Sequence, residues 1–362
     1  MSETRRPGDW PRATDAEFGP PLAGDYRAAP EDFVVEEVLG FAPEGHGEHL
    51  WLWIEKRGLT TLDAVRHVAR ECQVSPRAVG YSGMKDRIAV TRQWLSVQLP
   101  GQPAPDNLAE RLAACGVRVL EQARHPRKLK RGVHRANRFT LRITGAAVNA
   151  QLEARWAWLC RHGVPNLFGP QRFGPEGRNL ARARAVLDRG WRKRDDKEGM
   201  LLSAARSYLF NELLAMRLAD GSWQRLLTGD VAILDGSASQ FVVEALDAEL
   251  AERAERLDLH PSGVLWGVGN SMAGGEAVRF EQTLSERHAA LCQGLERAGV
   301  RMARRALRMR LDQPQLEVTA DVARLGFHLP RGGFATAVLR ELLDHPTLTS
   351  FAQRTTPGHE PG

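Results

Sequence analysis

The sequence predicts an α+β protein: a mainly antiparallel sheet interrupted by an inserted α-rich domain. Three observations predict it. Strand, strand, helix and strand patterns follow one another between Phe33 and Val97, an order that belongs to an α+β sheet rather than a doubly wound one. From Arg178 to Ala298 the pattern turns largely helical. Strand signals then resume at LEVTADVARLGFHLP, so the chain leaves the first sheet and comes back to it. With 362 residues there is length for two cores.

Residues 1–25 are polar with scattered Pro and Gly, and read as a mobile arm. In EDFVVEEVLG, Phe33, Val34 and Val35 mark a short strand ending near Gly40, and HLWLWIEKR, from His49 to Arg57, is a second. His46, Glu48 and His49 lack a third ligand at metal-site spacing, so they read as a solvated loop. Thr60-x-x-Asp63 is a capping box, opening a helix with Leu62, Val65, Ala69 and Cys72 on its buried face. Ser75-Pro76 starts a short turn. Then comes GYSGMKDRIAVTRQWLSV, where Asp86 sits between Lys85 and Arg87 after a glycine turn at Gly83, and a strand rises from Ile88 to Val97.

Asp106 to Cys115 reads as helix and Val117 to Leu120 as strand. From Arg124 to Arg142 there are eight Lys or Arg and no acidic residue. Two strands joined by so basic a loop make a phosphate track. Within it Phe139, Leu141 and Ile143 alternate with Thr140, Arg142 and Thr144, so one face of the strand is buried. A helix from about Ala147 to His162 ends at Gly163. GVPNLFGPQRFG has no periodicity and reads as a loop that is both hinge and contact surface. Helices follow at Arg178 to Arg189 and at Leu201 to Leu218, the latter with Leu202, Leu209, Leu213 and Met216 on its face. A hairpin from Asp230 to Val243 and a long helix from Glu276 to Ala298 complete this block. GGFATAVLRELLD is a helix carrying Phe334, Val338 and Leu342 on one side. GVGN, from Gly267, lacks the third glycine and the leading strand of a dinucleotide fingerprint. The expected division is an arm over 1–25, a sheet domain over 26–162 and 310–345, an insert over 163–309 and a tail over 346–362.

Lys and Arg number 50 against 44 Asp and Glu, a formal charge of +6, which favours an anionic partner, nucleic acid first. Four separated cysteines form no C-x-x-C pair, which suits a reducing compartment. The N-terminal stretch lacks an apolar signal region and no apolar run is long enough to span a bilayer, so a soluble, cytoplasmic protein is expected. Between two cations a carboxylate stays ionised at neutral pH. That suits Asp86 as a nucleophile or charge stabiliser, not as a general acid. A hydrolase built on paired acids or a metal would need a second carboxylate or ligand set, and no motif supplies one.

The blocks PEDFVVEE, GEHLWLWIEK, SGMKDRIAVTRQW, HPRKLKRG followed by NRFTL, GVPNLFGPQRFG, LLSAARSYLFNELLA, WGVGNSMAGGEA and FHLPRGGFATAVLREL stand in one order at compatible spacing. In them the sequence resembles the TruD family of tRNA pseudouridine synthases, from about Gly24 to Asp344. The resemblance implies a pseudouridine synthase catalytic domain with an inserted TRUD domain. It implies isomerisation of uridine 13 in the D-arm of tRNA, with no cofactor and no metal. The catalytic aspartate falls on Asp86, and substrate contacts fall on Phe33 in EDFVV, Asn137 in NRFTL and Phe334 in GGFAT. Phe139 stands where most other pseudouridine synthases place a tyrosine against the target base. On this reading Phe139 is the stacking platform and Phe33 and Phe334 close the pocket. Lys85 either keeps Asp86 charged or holds a phosphate, while Lys128, Lys130, Arg131 and Arg172 hold the RNA backbone. The stretch before FHLP is short for the family, and the N-terminal arm has no counterpart. The rival reading is a catalytically silent tRNA-binding or RNA-chaperone protein on the same scaffold. With no coiled-coil seam, a monomer is expected.

Overall fold

The structure, a computed structural model, describes residues 5–196 and 199–349. It divides into two compact units, one of residues 24–148 and 312–332, the other of residues 5–23, 149–311 and 333–349.

The first unit is built on an eight-stranded sheet. Its order is Asp312–Thr319, Val322–Pro330, Ala136–Thr144, Phe33–Val38, Val90–Gln98, His49–Arg57 and Val117–His125, with Val79–Tyr81 also paired to Val90–Gln98. All pairings are antiparallel except that of Phe33–Val38 with Val90–Gln98, where Val34 lies opposite Val90. That parallel pairing brings the end of the loop 82–89 beside Phe33. Side chains alternate between the two faces. Leu50, Leu52 and Ile54 pack with the helices Thr61–Glu71 and Leu108–Ala113, whereas Trp51 packs with Trp94 and Leu129. The capping box forms as expected: Asp63 N–H donates to Thr60 Oγ1 and Thr60 N–H to Asp63 Oδ2, each at 3.1 Å. Such a cap is worth about 1 kcal/mol. Leu62 lies at the edge of the helix's buried face and is exposed; Ala64 and Val68 take its place.

The second unit corrects several expectations. Residues 5–23 are built in rather than free as an arm. Trp10 is buried and its Nε1 donates to Glu212 Oε1 at 2.7 Å. Arg155, on the helix Ala150–His162, donates to Thr14 Oγ1 at 2.8 Å. Thr14 N–H in turn donates to Glu341 Oε2 on the helix Ala335–Leu342 at 3.1 Å. Buried charges need such partners. This network explains why both helices belong here and not with the sheet, where boundaries at 162 and 310–345 would have put them. GVPNLFGPQRFG is no exposed hinge: Val164–Pro165 pairs with Arg308–Met309, and Leu167, Phe168 and Phe173 are buried. The helix Met200–Ala219 is buried nearly all round, so its core is wider than the single face its leucines suggested. The expected helix from 276 to 298 breaks at His288 into Val278–Arg287 and Ala289–Arg297. The hairpin Val231–Leu234 with Gln240–Val242 forms, and Leu259–Leu265 and Ala303–Ala306 extend it to four strands. Among the described residues no helix is long and apolar enough to cross a membrane.

Candidate active site

Asp86 stands on the loop 82–89, between the strands Val79–Tyr81 and Val90–Gln98. Where the chain approaches the loop, only glycine fits at position 80, because a Cβ there would lie 2.3 Å from the backbone oxygen of Leu129. The loop itself is fastened from below. Lys85 N–H donates to Thr61 Oγ1 at 2.8 Å and Gln93 Nε2 to Gly83 O at 3.1 Å. Lys56 Nζ donates to Asp86 O and Arg87 Nε to Gly58 O, both at 3.0 Å. Ser82 Oγ accepts from His134 N–H at 2.7 Å and lies 2.6 Å from Nδ1, which then takes the hydroxyl proton. Burial first, then the charges of Lys85 and Arg331, push His134 down to about 4, so it serves here as a neutral acceptor.

The carboxylate of Asp86 is half exposed, and its cationic neighbour is Arg27, with Nη2 at 3.5 Å. Arg27 also lies over Phe33, Cζ 4.3 Å from the ring centroid. The two cations that flank Asp86 in sequence have other partners: Arg87 reaches Gly58 O and Lys85 reaches Glu37. Lys85 turns inward and pairs with Glu37 Oε2 at 3.0 Å, the two side chains 5% and 0% exposed. Glu37 itself is raised, chiefly by burial, against the lowering pull of Lys85. Lys56 is buried too and pushed down to about 8 by desolvation, with Asp86 the largest opposing influence.

Phe33 and Phe139 are both buried, and Phe139 stacks on Phe327 with ring centroids 5.4 Å apart. One face of Phe139 is therefore taken, and the ring is part of the sheet's core. Asn137 lies between Glu37 and Leu329 in register, and its Oδ1 is buried with no hydrogen-bond partner among the described residues. Leaving a buried acceptor unmatched costs about 1–3 kcal/mol. Lys128, Lys130 and Arg131 line one open groove of about 590 Å³ with Tyr81. Arg131 Nη2 donates to the Tyr81 hydroxyl at 2.6 Å, and Lys128 Nζ to Arg77 O at 2.5 Å. Phe334 and Arg172 belong to the other unit, where Arg172 Cζ lies 5.8 Å from the Phe334 ring and 5.3 Å from that of Phe168. Arg305 joins them 4.2 Å over Phe168, pushed down to about 9 by burial and then by Arg172.

Sequence reasoning missed Arg27, Lys56, Glu37 and Arg305. Two carried a signal. Glu37 shares the parity of Phe33 and Val35 on its strand, and Lys56 that of Leu52 and Ile54, so each is a charge at a core-facing position.

A loop-borne carboxylate beside an arginine, set against a mainly antiparallel sheet, is the arrangement on which the comparisons bear. The sequence model of the family described as tRNA pseudouridine synthase D (TruD) matches residues 16–193 and 194–342. A Chromohalobacter salexigens protein of that description is 60% identical over 351 residues, covering 96% of this chain and all of that one. One from Pseudomonas putida is 46% identical over 338 residues, covering 92% and 94%. A crystal structure from Methanosarcina mazei, provisionally described as TruD, agrees with a TM-score of 0.70 over 94% of this chain and 98% of that one. At 20% identity that likeness shows the fold alone. The chain belongs to the TruD family of tRNA pseudouridine synthases.

Proposed function

We propose that this protein isomerises uridine to pseudouridine in tRNA, at position 13 of the D-arm, as a cytoplasmic monomer with Asp86 as its catalytic residue. The observation that carries the reading is the placement of Asp86, in a chain of this family, on a loop tied down on several sides with its carboxylate open to solvent beside Arg27. Catalysis needs a group held in advance at the position where it acts.

The reaction breaks the bond from ribose C1′ to N1, turns the uracil and joins C1′ to C5; C5 gives up a proton and N1 takes one, so the product is an isomer of the substrate. No electrons are exchanged and no group departs, so the chemistry calls for no cofactor. The base must first leave its stem, at a cost on the order of a few kcal/mol. Asp86 then either attacks covalently, at sugar or base, or removes a ribose proton. Phe33, carrying Arg27 on its face, and Phe139 form the apolar floor. The unmatched Asn137 Oδ1 accepts from a base edge. Phe334, on the other unit, is a further substrate contact by the family's motif alone. Since Phe139 has no hydroxyl, C5 gives its proton to another base or to water. Lys128, Lys130, Arg131 and Arg172 hold phosphates.

The test is tritium release from tRNA labelled at uridine C5. Release that disappears when uridine 13 is replaced by cytidine fixes both activity and position; tight binding without release from any tRNA would leave an RNA-binding protein. Arg131→Ala should weaken binding and flatten the plot of log affinity against log salt by roughly one unit or less, the share of a single phosphate, without changing which uridine reacts. An unchanged slope would remove the basic groove from the RNA path.

A further inference from the structure

Met84 and Ile88 are 66% and 62% exposed, more than any other large apolar side chain among the described residues. They stand two residues before and two after Asp86. Single exposed apolar residues are ordinary, but three features set this pair apart. Along the loop the side chains of Met84 and Asp86 face solvent while that of Lys85 between them turns inward. The backbone beneath is fixed by the bonds from Thr61, Gln93, Lys56 and Arg87, so both tips are carried on a rigid base. And the residues between the two tips are charged, Asp86 half exposed and Arg87 exposed, so the apolar ends flank the proposed catalytic carboxylate on both sides.

A uridine stacked in a stem reaches a carboxylate on such a loop only by leaving the stack, and the gap it leaves must be filled or the base falls back. Leu, Ile, Met and Phe are the side chains that proteins insert between base steps for this purpose. We propose that Met84 and Ile88 are the wedge of this enzyme: they enter the stem beside the target uridine, occupy the vacated stack and hold the base out toward Asp86. The occupant of this apolar surface is therefore the base stack flanking the target, and the inference rests on the isomerase reading above.

The experiment compares the full chain with its Met84→Ala/Ile88→Ala variant, whose melting temperature should match the parent's because both side chains are exposed. Two tRNAs are used, one with the target stem intact and one with a mismatch opposite the target uridine. On the intact stem kcat/KM for tritium release should fall by about tenfold or more, and on the opened stem by about twofold or less, since opening does the wedge's work in advance. Equal losses on both RNAs would assign the pair to positioning Asp86, and no loss on either would leave them without a role; both outcomes overturn the proposal. A 2-aminopurine placed next to the target gives a readout that does not need turnover. In the Asp86→Asn background it should brighten on binding with the native tips and stay dark with the alanine tips, although both bind by gel shift. If the wild type releases no tritium from any tRNA, the isomerase reading fails, and the aminopurine signal still decides whether these side chains open the stem.

Discussion

Asp86→Asn is expected to abolish pseudouridine formation while tRNA binding persists. Asparagine keeps the shape of the side chain but can neither attack a carbon nor take a ribose proton. Losing a residue that performs the chemistry, the role proposed for Asp86, removes on the order of 10⁴-fold or more of turnover. The fold should not notice. The Asp86 carboxylate is half exposed, and its contact with Arg27 at 3.5 Å is of the surface kind, worth about 0–1 kcal/mol. The loop is held through its backbone, by Lys56 on the Asp86 carbonyl and Thr61 on the Lys85 N–H, and an asparagine leaves both bonds in place. Removing a negative charge from a surface that meets a polyanion weakens nothing electrostatically. Gel-shift affinity therefore stays within about threefold of wild type, while tritium release falls to background. Loss of affinity alongside activity would mean that Asp86 shapes the RNA surface rather than reacting with the nucleotide.

The same loop shows what a sequence can and cannot carry. Its position was legible, because the capping box at Thr60, the strand HLWLWIEKR and the alternation around Phe139 are local patterns, and each formed with nearly the expected bounds. The electrostatics were not. Flanking Lys85 and Arg87 suggested a carboxylate between two cations, but the chain turns Lys85 under the sheet to Glu37 and Arg87 to Gly58 O. The cations that do approach it are Lys56, at its carbonyl, and Arg27, at its carboxylate, the latter from a segment at the edge of what composition marked as a mobile arm. Pairings between residues 59 apart, like that of Arg27 with Asp86, leave no periodic trace. The domain boundaries failed for a related reason. Thr14, Arg155 and Glu341 meet only in three dimensions, and no one of the three segments looks unusual by itself.

Lys85→Met should destabilise the sheet unit by about 3–5 kcal/mol at pH 8, the usual result of leaving one member of a buried ion pair alone. Glu37 is the reason. Its carboxyl is raised in the folded protein by burial even with the ammonium 3.0 Å away. A carboxyl raised on folding holds its proton to higher pH than the unfolded chain does, so stability is lost as pH climbs from the ordinary carboxylate range through the folded value. Without Lys85 that value climbs further, and the loss extends to higher pH. The deficit of the variant should therefore be smaller at pH 5, where Glu37 more readily takes a proton, than at pH 8. Hydrogen exchange in increasing urea, read on peptides covering Phe33–Val38 and Val90–Gln98, measures it; an equal deficit at both pH values would mean that the pair is not isolated from water. Replacing both partners, Lys85→Met with Glu37→Leu, should restore most of the stability, because two apolar groups leave no charge uncompensated. This double variant also separates the two roles open to Lys85. If its task is to neutralise Glu37 and so to hold the Asp86 loop in place, tritium release returns with stability. If Asp86 or an RNA phosphate needs the ammonium directly, the sheet recovers and turnover does not.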